Sequence, residues 1–398
     1  METLDLLIIG SGPAGISTAL HLLQKDPSWR KRMLIIEKSH HPRAKPCGGG
    51  VTTPGLMILR NLGFHLPLPI PQAPVTDAHF LYKNRLINVR GYPRFVVFQR
   101  PELDAYLAQE AEQRGIVIQQ EEPVIELDPT PAGMVVTTEC DQYLAQVVVG
   151  ADGAKGITRR YVRKHTSSDE SGESPRTGQP ARIARSLEII TPANQDDSYV
   201  NPRYALFDFT LTRPQPQGDQ LQGYAWIFPT IINGQPFHNR GVYDGRVAYN
   251  RPKANLIKLL KTQVANLTDT QIQNELQGHP IHWFSPRNRF STERLILAGE
   301  AAGVDPLLGE GIYPALGYGQ VAGEAIQQAF NQQDFTFINY LRQVRSSPVG
   351  DYLMLRWLIA RIGYTFSQYA WFMHCVWTLG WILTTLWPKG EPLYRIED

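Results

Sequence analysis

The sequence predicts an α/β fold. It has a Rossmann-like domain that the chain leaves and re-enters, a mostly antiparallel β-sheet domain, and a C-terminal helical segment. Three separated glycine-rich pieces predict it. The first is Gly10-Ser11-Gly12-Pro13-Ala14-Gly15, followed by Glu37. The second is Val149-Gly150-Ala151-Asp152-Gly153. The third is Leu297-Ala298-Gly299-Glu300-Ala301-Ala302-Gly303, running on to Gly309-Glu310-Gly311-Ile312. Each alone is a weak signal. In this order they mark one dinucleotide-binding domain.

Leu4 to Ile9 is an apolar run suited to a buried parallel strand. Gly10 permits the turn, Gly12 lets the backbone approach a pyrophosphate, and Gly15 lets the next helix pack on the strand. Ile16 to Leu23 reads as that helix, with its positive end toward the phosphates. Met33 to Ile36 reads as a second strand ending at Glu37. A carboxylate there accepts from both ribose hydroxyls and repels a 2′-phosphate, so the nucleotide is FAD or NAD rather than NADP.

The 398 residues are 42% hydrophobic, enough for two domains with proper cores. A net charge of +2, with Arg and Lys dispersed, gives no reason to invoke nucleic acid. Cys47, Cys140 and Cys375 are far apart, without a CxxC, so neither zinc nor a disulfide framework is expected and a reducing compartment fits. His40 and His41 have no further ligand at metal spacing and read as solvated loop residues. Met1 lies a few residues before the first strand, so no signal peptide is expected.

Pro101 to Arg114 reads as a helix with Gly115 just past its end. Strands are expected at Ile116–Ile118, Met134–Thr138 and Gln146–Val149. His165 to Pro180 is polar and aperiodic and reads as a mobile loop. From Ala181 to Trp283 short β-like runs follow, including Ser186–Ile190, Tyr204–Leu211 and Gly223–Phe228. Arg294 to Ala298 returns to the first domain, and a helix runs from Gly309–Gly311 toward Phe330.

This order of motifs resembles the p-hydroxybenzoate hydroxylase class of FAD enzymes, over roughly residues 1–330. The resemblance implies a glutathione-reductase-type FAD-binding domain from residues 1–70, 99–160 and 285–335. It implies a substrate domain from 71–98 and 181–284, leaving 336–398 as the C-terminal segment. The implied FAD contacts are Gly10, Gly12, Pro13, Ala14, Gly15, Glu37, Lys38, Lys45, Cys47, Gly48, Arg100, Val124, Asp152, Gly153, Gly299, Glu300, Gly309, Gly311 and Ile312. Glu300 departs from the class, which usually has Asp there to hold the ribityl chain. The helix after Gly309 would aim its N-terminus at the flavin edge that gains negative charge on reduction.

Between the pieces lie two further motifs. Lys45-Pro46-Cys47-Gly48-Gly49-Gly50-Val51-Thr52 is similar to the Pro-Cys segment of the geranylgeranyl reductase family within that class. Tyr224-Ala225-Trp226-Ile227-Phe228-Pro229 is similar to the family's Tyr-x-Trp-x-Phe-Pro motif, which lines a prenyl-binding cavity. Alternation puts Tyr224, Trp226 and Phe228 on one face of a strand. The resemblance implies saturation of C=C bonds in a prenyl chain, with Tyr224, Trp226, Phe228 and Pro229 on the isoprenoid lipid and Cys47 as candidate catalytic residue. The proton could come from Cys47, Tyr224 or water. No second GxGxxG with its acid appears, so no separate NADPH domain is expected; the resemblance implies NADPH taken transiently, or a ferredoxin as partner protein, as the outside electron donor. An FAD monooxygenase or halogenase, and a non-catalytic FAD-binding membrane assembly factor, are the alternatives.

Tyr369 to Trp387 has no Asp, Glu, Lys or Arg and carries Trp371, Trp377, Trp381 and Trp387. Its length could span a bilayer, but the tryptophans fit the interface better. Peripheral membrane contact on the cytoplasmic side is the expectation, with a buried lid on the second domain and a true span as the other readings.

Overall fold

The computed structural model describes all residues except 166–181, 194–202, 213–219, 249–250, 263, 265–274 and 387–398. The polar stretch after His165, expected as a loop, falls outside the described residues. Among the described residues the strands form two eight-stranded sheets.

The first sheet runs Ser291–Thr292, Leu295–Leu297, Gln142–Gly150, Glu2–Ile9, Met33–Ile36, Val117–Gln119, and the Val124–Thr130 and Gly133–Thr138 hairpin joins it at Gln142–Gly150. Glu2–Ile9 is central and parallel to both neighbours, with Leu6 opposite Met33 and Val147. Both faces are covered, so Leu6, Leu7 and Ile8 are fully buried and the strand reads as an unbroken apolar run. Helix Pro13–Lys25 packs lengthwise on helix Ile312–Gln332, and Ser17 Oγ donates to the Leu316 carbonyl at 2.7 Å. A pair of residues far apart in sequence thereby closes the domain.

The second sheet runs Gln277–His282, Ile183–Pro192, Gln235–Asp244, Gly223–Ile232, Tyr204–Asp208, Gln72–Tyr82, Arg85–Phe98, Gly50–Thr52. It is antiparallel except where Tyr204–Asp208 runs parallel to Gln72–Tyr82. The strand expected through Leu211 stops at Asp208. Asp208 Oδ1 accepts the Thr210 N–H at 2.8 Å and turns the backbone into a short 3₁₀ segment, Thr210–Thr212. Gly50–Thr52 continues directly from the cysteine loop and pairs with Phe95–Val97, so the loop is anchored on this sheet.

The tail is helical. Pro348–Phe366 begins on a Ser347 cap, whose Oγ accepts the Gly350 N–H at 3.2 Å, and Ala370–Leu386 follows. No described helix is long and apolar enough to cross a membrane.

Candidate active site

A cavity of about 730 Å³ lies between the two sheets. At one end two helices point their N-termini into it. Pro13–Lys25 is preceded by Gly12 and Ile312–Gln332 by Gly311, and neither N-cap residue provides a side-chain cap. A Cβ at Gly311 would meet nothing within 4 Å. Free amide donors at both ends suit an anion at one and a developing negative charge at the other. Gly10, Gly12, Pro13, Ala14, Glu37, Lys38, Lys45, Cys47, Gly48, Arg100, Val124, Asp152, Gly153, Glu300, Gly309, Gly311 and Ile312 all border this cavity. Gly15 and Gly299 sit behind it: a Cβ would lie 2.0 Å from the Gly10 carbonyl oxygen and 2.7 Å from the Ala14 Cβ respectively.

Glu37 ends its strand almost fully buried and accepts from the Ser11 N–H and hydroxyl at 3.0 and 3.1 Å. His41 corrects the sequence expectation of a solvated loop residue. His40 is exposed, but His41 is buried, with Nε2 2.6 Å from Ser11 Oγ. Burial, then the Arg43 charge, lower its pKa. Both turns that would hold a ribose thus brace each other, which spacing along the chain does not reveal. His41 Nδ1 is buried without a hydrogen-bond partner, and Arg43 Nε, also without one, lies 3.6 Å from Glu37 Oε2. The His41 nitrogen, the uncapped helix ends and the Glu37 carboxylate fit FAD.

Charges are paired along the wall. Arg100 makes two hydrogen bonds to Asp104, at 2.9 and 2.7 Å, and Arg43 reaches Asp104 at 3.2 Å. Burial opposes the Arg100 charge, but the Asp104 carboxylate outweighs it and holds its pKa above the ordinary value. Arg100 also contacts the Cys47 thiol. Asp152 accepts from the Thr158 N–H and hydroxyl at 3.0 and 2.6 Å, fastening the start of helix Ile157–His165. Glu300 accepts from Lys45 Nζ at 3.2 Å and lies 3.1 Å from His279 Nε2. Burial pushes its carboxyl up, but Lys45 and His279 together bring it down to about 2.

The cysteine loop meets the aromatic strand. Tyr224, Trp226 and Phe228 are buried and face the cavity, and a Cβ at Gly48 would lie 3.1 Å from the Phe228 ring. Gly49 has φ +75°, and a Cβ there would strike the Phe98 carbonyl oxygen at 2.1 Å. The Trp226 indole lies over Gly241, where a Cβ would be 2.2 Å from the ring. Pro229 alternates away, opposite His238, and does not border the cavity. Tyr224 OH donates to the Leu308 carbonyl at 2.6 Å, and burial and nearby carboxylates raise its pKa well above the ordinary phenol value. That proton is therefore poorly disposed for transfer.

Sequence reasoning missed several groups. Glu188 borders the cavity beside Cys47. Glu310, within the third piece, accepts from the Thr52 hydroxyl and from Tyr352 OH of the tail. Arg356, also from the tail, borders the cavity, and Asp305, Tyr352 and Glu310 raise its pKa against the effect of burial. No motif marks Glu188 or Arg356, and the third piece draws attention to its glycines rather than to Glu310. Only the closeness of Asp305 and Glu310 in a stretch without Lys or Arg could have hinted at a cation brought from elsewhere.

The comparisons agree with this geometry. A family model described as the FAD binding domain matches residues 3–175. An uncharacterized protein of Methanosarcina barkeri is 28% identical over 339 residues, covering 84% of this chain and 77% of the relative. A digeranylgeranylglycerophospholipid reductase of Methanosphaera stadtmanae is 24% identical over 361 residues, covering 84% and 80%. The crystal structure of a geranylgeranyl bacteriochlorophyll reductase-like protein from Thermoplasma acidophilum superposes with a TM-score of 0.73 at 19% identity, covering 97% of this chain and 91% of that one.

Proposed function

We propose that this chain, a geranylgeranyl reductase-like FAD-dependent oxidoreductase of the p-hydroxybenzoate hydroxylase class, saturates C=C bonds of a prenyl chain held along its aromatic row. The observation that carries the reading is the contact of Gly48 with Phe228 and Trp226. It puts the loop expected beside the flavin and the row expected to hold an isoprenoid on one cavity wall.

FAD, when reduced, would supply the hydride for one alkene carbon, and the Cys47 thiol or a water would give the proton to the other. The chain's own residues hold the substrate. Tyr224, Trp226, Phe228, Phe95 and Phe207 offer ring faces to a chain with no hydrogen-bonding groups, so binding rests on apolar burial. The nucleotide end belongs to Gly12, Glu37, Arg100 and Asp152, and the ribityl region to Lys45 and Glu300. A donor of the nicotinamide or ferredoxin class restores the reduced state.

The tail supports a lipid substrate taken from a membrane surface on the cytoplasmic side. Trp371, Leu379, Trp381 and Leu386 are each more than half exposed. On its inner side Trp377 and Met373 pack on Tyr82 and Ile87, next to Phe80 and Val89 of the cavity wall. The same helix thus offers apolar surface outward and covers the aromatic end of the cavity inward.

The test is anaerobic incubation with dithionite-reduced FAD and a geranylgeranyl lipid. The expected product gains two hydrogens per bond reduced, seen by mass spectrometry. If no isoprenoid gains hydrogen, the reading fails. A product bearing oxygen or halogen, formed only in air, would establish the monooxygenase or halogenase alternative.

A further inference from the structure

Glu188 lies on strand Ile183–Pro192, paired with Gly241 on one side and Gln277 on the other. It is 5% exposed and borders the cavity. Its Oε1 accepts the Cys47 backbone N–H at 2.8 Å. Asn239 bonds to the Glu188 carboxylate and donates from Nδ2 to the Cys47 carbonyl at 3.2 Å. Trp226 Nε1 in turn donates to Asn239 Oδ1 at 2.8 Å. Both polar backbone groups of Cys47 are therefore held by side chains of the second sheet. None of these bonds uses the thiol.

We propose that Glu188 is a positioning residue for the cysteine loop, holding Cys47 against the aromatic row when ionised and loosening it when protonated. The proton exchanges with solvent. A carboxylate accepts an amide hydrogen bond about twice as strongly as a neutral carboxyl does, so loss of the charge weakens the hold.

The surroundings make that exchange accessible. Burial raises the Glu188 pKa to about 7, against the lowering effects of the Cys47 N–H, Asn239 and the Arg100 charge. The other charged or titratable groups of the neighbouring elements are engaged elsewhere. Arg100 is paired with Asp104, Lys45 and His279 with Glu300, and Tyr224 with the Leu308 carbonyl. Among the described residues no salt bridge fixes Glu188 in its ionised form.

The test is hydrogen–deuterium exchange of the 44–52 segment in substrate-free, FAD-loaded protein, corrected for intrinsic rates, at about pH 6 and about pH 8. Wild type should show roughly fivefold greater protection of the Cys47 amide at the higher pH. Glu188→Gln mimics the neutral carboxyl and should show the weaker protection at both. Glu188→Ala should lose it at both, with FAD content and the melting curve reporting that the variant is folded. If Glu188→Ala does not fold, Glu188→Gln carries the test alone. A pH dependence that survives in Glu188→Gln, or is missing from wild type, overturns the proposal. The assignment rests on the reading of this cavity as the reaction site, but exchange is read without lipid. A chain that reduces no isoprenoid would leave its outcome intact.

Discussion

Lys45 Nζ lies 3.2 Å from Glu300 Oε2, joining the loop after the second strand to the third glycine-rich piece across 255 positions. The longer carboxylate at 300, in place of the Asp usual for the class, has a local reason. It reaches both Lys45 on one side and His279 on the other.

Replacing Glu300 by Gln should leave the Lys45 charge without its partner. A loss of about 1–2 kcal/mol in unfolding free energy is expected, between that of an exposed and of a fully buried pair, together with weaker FAD retention. Glu300→Asp should keep the charge but lose one of the two contacts. Denaturant melts and flavin release on dilution measure both.

Glu300 and Glu188 should pull stability in opposite directions with pH. The Glu300 pKa is depressed from 4.5 to about 2, so its contribution is complete above about pH 4.5 and lost as pH falls toward 2. The Glu188 pKa is raised from 4.5 to about 7, so its contribution is complete below about pH 4.5 and lost as pH rises through 7. Glu188→Gln should therefore melt higher than wild type near pH 8, and the difference should vanish by pH 4.5. A lower melting temperature at pH 8 would contradict this sign.

Gly241→Ala places a methyl where the Trp226 ring lies. The indole must move, breaking its bond to Asn239 and with it the hold on Cys47. A cost of about 1–3 kcal/mol is expected, with a larger fall in prenyl reduction than in FAD binding. Comparing turnover with flavin content separates the two effects.

Trp226→Phe keeps a ring in the row but removes Nε1. The Asn239 Oδ1 then has no donor in a buried position, at about 1–2 kcal/mol. Reduction should slow without abolition of lipid binding, measured as quenching of flavin fluorescence by a non-reducible prenyl analogue.

Trp371→Ser with Trp381→Ser should lower co-sedimentation with phospholipid vesicles while FAD content stays unchanged. Since the helix Ala370–Leu386 carries no Asp, Glu, Lys or Arg, added salt should barely alter wild-type binding. Strong salt sensitivity would place the contact on another surface.

The strand–turn–helix of the first piece was legible because parallel strands covered on both faces read as apolar runs and the turn demands glycine. The helix Arg100–Gln113 was legible for a similar reason, with Pro101 near its start and Gly115 at φ +83° past its end. Pro229 shows the limit: it belongs to the aromatic motif in sequence, yet strand alternation turns it from the cavity. His41 shows another, since its burial depends on Ser11, thirty positions earlier.

The sequence by itself determined the class of fold, the FAD-binding framework, and that a cysteine loop and an aromatic strand lie between its parts. These follow from local chemistry: period-two and apolar patterns, glycines where backbone must turn or approach, and residues close enough to share one element. Tertiary structure alone decided that Glu188 and Asn239 grip the backbone of Cys47, that Lys45 answers Glu300, and that the tail brings Arg356 to Asp305 and Glu310. Each is a pairing between distant segments. A buried charge or amide specifies the need for a partner, but which distant residue meets it depends on how the sheets and helices pack.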